Sequence, residues 1–485
     1  MMKSSLTRRQ FLGTSAALGA VSLLPATARA ASSLGLTATS RVLDIDGRAA
    51  KVYGIANSLG GQGLTLNPGE PFRLSLTNGL DVETIVHWHG QIPPNVQDGV
   101  PGFPMPALTP GEVRDYDFTP RPGTHWMHSH IPVQEMQLLA APLIVRRPEE
   151  VAEDRQEVVM FLHDYSFTPP EEILAGLTGG MGGMTHAMHG MTGSEGGMDM
   201  GGMDMGNMDM SGMGMGGGMG GMAMDLNDIA FDAYLANDRT LNDPDVVSVE
   251  AGGRVRLRII NGSSATVFWI DTGAVEALLV AVDGEPVQPI AGRRFGLAMA
   301  QRIDLLIDLP AGEGAFPILA LREGAQERAG IILATAGAAV AKLPVLGDEA
   351  APAFDLALES QLVALNPLPV RPVDQAPMVM LSGSMMPYQW AISGPVTAKS
   401  GERVEMMFHN MSMMGHPIHL HGHAFQVVNL GGRVFAGAVR DTVYLPPMSM
   451  VTVAVDAGEA ATWMLHCHHM AHLASGMMTE FQVSA

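Results

Sequence analysis

Three stretches of the chain follow one plan: PGEPFRLSLTNGL from Pro68, AGGRVRLRIINGS from Ala251 and SGERVEMMFHNMS from Ser400. In each, a Gly-containing turn leads into apolar residues at alternate positions and then an Asn. Period two belongs to a strand with one buried face, whereas a helix repeats at 3.6. Recurrence at three distant points implies three copies of one β-domain. Other alternating runs, such as GEVRDYDFTP and RIDLLIDLP, are split by turn residues about every 8 to 12 positions. The expected fold class is all-β, with three Greek-key sandwich or barrel domains. Pro-, Glu- or Ala-rich stretches near residues 147 and 348 set the domains at 31–147, 148–347 and 348–485. Helical periodicity is sparse, and PPEEILAGL around Glu172 is the best short helix.

Two segments stand apart from this pattern. The first is the N-terminus, where Arg8 and Arg9 precede Phe11 and Leu12 and a mildly apolar stretch follows. This reads as a twin-arginine export signal over residues 1–30, cleaved after Ala30 at the site formed by Ala28 and Ala30. The mature protein is then expected to be periplasmic and monomeric, without a membrane span. Cys467 is the chain's one cysteine, which excludes an internal disulfide framework. The second segment is residues 181–224, an insertion in the middle domain, where 15 of 44 residues are Met and most others Gly. Gly at that density cannot support a packed core. A loop selected for flexibility alone would use Gly and Ser; thioether sulfur is a soft donor that prefers Cu(I).

Charge narrows the partners. With 28 basic and 49 acidic residues the net charge is −21, which disfavours nucleic acid and draws small cations. Four His-x-His stretches then carry the chemistry: His87 and His89, His128 and His130, His419 and His421, His466 and His468. Residues i and i+2 of a strand share a face, so each pair is expected to aim two imidazoles at one point. Four such pairs among 17 histidines indicate a cluster of several metals. Two pairs lie in the first domain and two in the last, so the cluster belongs between those domains. Within HCH, Cys467 faces away from its two histidines and is free to bind a different metal. His472 and Met477 follow it, and His416 precedes the third pair. Two His, a Cys thiolate and a weak axial Met describe a blue-copper site. Electrons would pass from Cys467 to the flanking histidines over a path on the order of 10 Å.

The stretches HWHG, HSH, HPIHLHGHAF and HCHHMAHLASGM resemble the copper-binding signatures of the multicopper oxidases, which are three-domain cupredoxin proteins. The resemblance covers most of the mature chain. It implies four copper ions. His416, Cys467, His472 and Met477 match the type 1 ligands, and His87 and His419 the type 2 ligands. His89, His128, His130, His421, His466 and His468 match the type 3 ligands. Such enzymes take single electrons at type 1 copper and deliver four to dioxygen, making water; Cys467, His466 and His468 would carry the transfer.

Within the family, the export signal and Met tract look most like bacterial copper-tolerance oxidases, which oxidise Cu(I) to Cu(II). The competing readings are a laccase-like oxidase of phenols or other small organic reductants and a non-catalytic copper-sequestering protein; Mn(II) and Fe(II) are further candidate reductants. Three features depart from the expected patterns: the Met tract lies in the middle domain, Leu473 stands where some copper-tolerance relatives have an acid, and His125 replaces an aromatic residue. Asp98 matches an acidic position that would relay protons, or it stabilises an Asp-Gly turn. Asp441 reads mainly as structural, His423 and His469 as supports, and His409 and His163 as ordinary strand residues. Met413 and Met414 either bind substrate Cu(I), with Met200, Met205 and Met210 of the tract, or cover the type 1 copper.

Overall fold

The computed structural model describes residues 34–179, 226 and 228–485. The expected export signal and the Met-rich insertion, with Met200, Met205 and Met210, lie outside the described residues. Three two-sheet cupredoxin-like units follow one another along the chain. In the first, strands Arg48–Asn57, Leu34–Ile45, Phe72–Asn78 and Val113–Phe118 form one sheet, in that order. Leu64–Leu66, Ala140–Val145, Gly123–Ser129 and Val86–His87 form the other. The second unit has sheets of six and five strands, and the third has sheets of seven and five.

The repeated stretches supply the same element each time. Phe72–Asn78, Arg254–Asn261 and Arg403–Asn410 each pair in parallel with the strand that opens their unit. Phe72, Leu74 and Leu76 point into the core and Arg73 out, as period two requires. The closing Asn has a common task. Asn78, Asn261 and Asn410 are buried, and each accepts an N–H from the residue two positions on. Each side-chain amide also donates to carbonyls of a neighbouring loop. A buried amide satisfied on both sides fixes the strand's exit, the kind of local bond that favours Asn where backbone groups would otherwise go unpaired.

The expected helix is present at Pro170–Thr178, where Ile173, Leu174 and Leu177 pack on the core of the third unit. Two shorter helices, Pro132–Glu135 and Met470–Ala474, carry residues of the site described next. A single turn leaves no periodic trace in a sequence, so neither was expected. Among the described residues no helix is long and apolar enough to cross a membrane.

Candidate metal centre

Cys467 ends the strand Thr462–Cys467 and lies opposite Ile418 of the strand His416–Leu420. That register sets His416 beside it, and the turn of helix at Met470–Ala474 returns His472 to the same point. All three are fully buried. The Sγ of Cys467 lies 3.7 Å from Nδ1 of His416 and 3.8 Å from Nδ1 of His472, and the two Nδ1 atoms are 3.1 Å apart. The opposite ring nitrogens are anchored: Nε2 of His416 donates to Ser412 Oγ at 2.7 Å, and Nε2 of His472 lies 3.3 Å from Asp228. In that tautomer two imidazole lone pairs face each other and the thiol with no ring proton between them, an arrangement that calls for a cation. Burial pushes the thiol pKa up, so a bound metal, not bulk water, must take the place of its proton. The His469 amide donates to Sγ at 3.4 Å. Met477 is buried in the same core, and its carbonyl accepts the Cys467 N–H at 3.0 Å.

Asp228 belongs to this site and carried no sequence signal, being one acid among several in MDLNDIAFD. It is fully buried, accepts the Tyr388 hydroxyl at 2.5 Å and lies 2.9 Å from Nε2 of His469. Burial alone would raise its pKa, but the imidazoles of His469 and His472 hold it well below the usual carboxylate range. The His469 ring stacks on His472 with centroids 3.8 Å apart, so it is a support, as expected. Met414 is half-buried against the same core, whereas Met413 is exposed.

The eight paired histidines gather between the first and third units, all buried. Three groups of donors each lie within 4.8 Å: His87, His89 and His419; His89, His128 and His468; His130, His421 and His466. The expectation that each pair aims at one point holds for His87 and His89, which share the first group, and is corrected for the other three pairs. His128 and His130 divide between two groups, as do His419 and His421, and His466 and His468. Two residues along a strand advance about 6.8 Å, enough to set the two rings of such a pair over neighbouring groups. A His-x-His pair therefore bridges adjacent positions. Within each unit, His87 lies opposite His128 and His419 opposite His466, and each group then draws histidines from both units.

The inward nitrogens are close and unprotected. Nε2 of His421 is 3.0 Å from Nε2 of His466, and Nε2 of His87 is 3.4 Å from Nε2 of His419. Nδ1 of His89 and Nε2 of His128 and His468 have no hydrogen-bond partner. Outward nitrogens are held: His87 Nδ1 donates to the Asp98 carbonyl at 2.8 Å and His419 Nδ1 to the Asp441 carbonyl at 2.9 Å. Burial depresses the pKa of His130 to about 3 and of His419 to about 4, and those of His87, His89, His421, His466 and His468 well below the ordinary value. Neutral, oriented imidazoles are the form that binds a metal.

Known proteins share this arrangement. Residues 37–150, 211–339 and 371–485 each match a family described as multicopper oxidase. The multicopper oxidase MmcO of Mycobacterium tuberculosis is 30% identical over 463 residues, covering 92% of this chain and 85% of its own. The chain belongs to the multicopper oxidase family. Copper resistance protein A of Escherichia coli is 25% identical over 592 residues, covering 92% of each chain. Among solved structures, Fet3p, a multicopper oxidase that functions in iron import, matches with a TM-score of 0.72 at 17% identity, covering 93% of this chain and 90% of its own. The laccase of Botrytis aclada matches at 0.71 and 20%, covering 92% and 87%. A multicopper oxidase passes electrons from a reductant to dioxygen, and the imidazole and thiolate donors present here fit copper.

Around the oxidase's cluster three carboxylates hold the rings. Asp98 is 2% exposed, and Nδ1 of His421 donates to its Oδ2 at 2.8 Å. Its Oδ1 has no hydrogen-bond partner, and burial raises its pKa to about 8. Asp98 therefore does more than close a turn. Glu135, missed in the sequence because its motif is a single helical turn, is buried with Oε2 2.7 Å from His128 Nδ1 and Oε1 3.5 Å from His468 Nδ1. Burial raises its pKa too. Asp441 is structural, as expected, but with a direct hold on the site: Nε2 of His89 donates to its Oδ1 at 3.1 Å. Arg302 of the middle unit grips both oxygens of Asp441, at 2.7 and 2.5 Å, and donates to the Thr124 carbonyl of the first unit at 3.2 Å. A Cβ on Gly90 would come within 2.5 Å of that guanidinium, which explains the glycine after His89.

The remaining expectations concern neighbours. His125 is buried beside Arg302, 3.5 Å from Nη2. Leu473 packs in the core of the third unit. His423 donates to the His421 carbonyl at 2.9 Å and accepts the Gly458 N–H at 2.9 Å, a support. His163 is a buried strand residue bonded to the Gly262 carbonyl.

Proposed function

We propose that this multicopper oxidase oxidises Cu(I) to Cu(II) at the expense of dioxygen: 4 Cu(I) + O2 + 4 H+ give 4 Cu(II) + 2 H2O. The observation that carries the electron route is the His466–Cys467–His468 stretch, whose thiol and two imidazoles reach three separate donor groups. His416, Cys467, His472 and Met477 would hold a type 1 copper. His87 and His419 would hold type 2, and His89, His128 and His468 one type 3 ion. His130, His421 and His466 would hold the other. When bound, these coppers supply the redox chemistry, taking electrons singly and giving four to dioxygen. The protein's part is orientation and proton supply. Asp98 has a free, buried oxygen facing His87 and His421, the place from which a carboxyl group can release a proton to reduced oxygen.

Three features support Cu(I) as reductant. The Met-rich residues 181–224 offer soft donors, and the net charge of −21 attracts cations. The rings of His416 and His472 are fully buried, so a bulky phenol finds no imidazole edge to touch. The similarity to copper resistance protein A agrees. Export by the twin-arginine route would place the enzyme in the periplasm, where Cu(I) threatens exposed thiols. The test is oxygen uptake by the copper-loaded enzyme with Cu(I) and with a phenol under matched conditions. Faster turnover of the phenol would replace this reading with the laccase-like one, and uptake with neither would leave sequestration.

A further inference from the structure

We propose that Met380, His409 and Met450 form a surface binding site for a soft monovalent cation, Cu(I) or its redox-inert counterpart Ag(I). The three residues lie on adjacent strands of the seven-stranded sheet. Met380 of Met378–Met385 is paired with His409 of Arg403–Asn410, and His409 with Met450 of Met450–Asp456. They form one transverse row. Their sequence neighbours Val379, Leu381, Phe408 and Val451 are buried in the core, so the row faces outward. Met380 is 39% exposed and Met450 45%. Directly paired residues have Cβ atoms about 5 Å apart, and Met has three rotatable bonds with which to turn its sulfur toward the central ring.

Two observations point to a ligand and away from chance. The His409 imidazole has no hydrogen-bond or ion-pair partner among the described residues, although the residue is half-buried. The outward positions around it are also Met: Met378 and Met407 pair with each other in the next row, at 57% and 37% exposure. Outward strand positions ordinarily carry polar or β-branched residues, and Met is neither. Two thioethers and an imidazole make a low-coordinate, soft donor set, which selects Cu(I) over divalent ions held by carboxylates. Exposed Met411, Met413 and Met448 follow from the ends of the same strands. The Met448 amide donates to the Ser412 carbonyl, and Ser412 is the residue bonded to His416. The row thus begins a thioether path along the surface to the buried site of Cys467.

The inference holds whichever reductant the enzyme uses, because it concerns binding alone. Its test is methionine oxidation by dilute hydrogen peroxide on the full-length, copper-loaded protein, with and without Ag(I), read peptide by peptide by mass spectrometry. Peptide resolution keeps the methionines of residues 181–224 from confusing the result. Ag(I) should protect Met380 and Met450 with one shared half-point. His409→Ala should move that half-point upward at both by at least about tenfold, since even loss of an outer partner costs a metal site that much. Met450→Leu, which keeps the volume, should produce the same shift at Met380. The blue absorption of each variant reports that the domain is folded. Equal oxidation of Met380 and Met450 with and without Ag(I) would overturn the site and leave an apolar surface patch. Protection that ignores both substitutions would overturn it equally.

Discussion

The site at Cys467 and the histidine cluster beside it are built in opposite ways. His416, Cys467 and His472 come from one unit, on two paired strands and one helical turn. The cluster takes four histidines from each of two units, the first and the last, and is held by Arg302 from the middle unit, which supplies none of its donors. The first site therefore takes its donors from one domain, with Asp228 of the middle domain beside His472, whereas the second exists only where three domains meet. Substitutions at Cys467 should remove chemistry and leave architecture intact; substitutions at Arg302 should loosen architecture and leave the thiolate site intact.

The largest expected effect is that of Cys467→Ser, which should abolish blue absorption and oxidase turnover. Because the cluster does not use the thiol, the type 2 signal in electron paramagnetic resonance should survive. A variant that stays blue, or that loses both sites together, breaks the separation just drawn. Asp98→Asn comes next and acts on the cluster side alone. Reoxidation of the fully reduced enzyme by dioxygen should slow by about a hundredfold, the scale of a lost general acid, with reduction of the blue site unchanged. Equal reoxidation rates in stopped-flow mixing would return Asp98 to a turn residue.

Arg302→Lys keeps the charge but loses the planar two-point grip on Asp441. The cluster's copper affinity should fall by roughly 10- to 100-fold, as for other lost supports of metal-bound histidines. Copper content after dialysis and the type 2 signal measure this, while the blue band serves as the internal standard. Loss of the blue band in step with the type 2 signal would show that the two sites are not independent. The smallest effect is expected from replacing residues 181–224 with a Gly/Ser linker of equal length. Turnover with Cu(I) should fall a few-fold, to order of magnitude, through lost local concentration, and turnover with a small organic reductant should not. Equal length keeps chain entropy similar, so a change is assignable to the sulfurs. Unchanged Cu(I) kinetics would reduce the tract to a spacer.

The sequence carried the fold and the candidate donors because both are written in short-range patterns. Alternation in FRLSLTN, RVRLRIIN and RVEMMFHN marks strands with one buried face, and four His-x-His stretches survive any reasonable folding of those strands as metal donors. Spacing even implied that Cys467 and its flanking histidines serve different ions. Adjacency across the chain could not be read this way. Asp228 reaches His472, Glu135 reaches His128, and Arg302 reaches Asp441, yet none sits in a recognisable motif. The division of three of the four histidine pairs between two groups was also hidden, since it depends on how strands and units pack and not on spacing along one strand. Periodicity reports which face a residue occupies. Which residue of another domain meets that face is set by packing between distant segments, and that pairing is what gives the buried imidazoles their tautomers, Asp98 its raised pKa and His409 its two neighbouring thioethers.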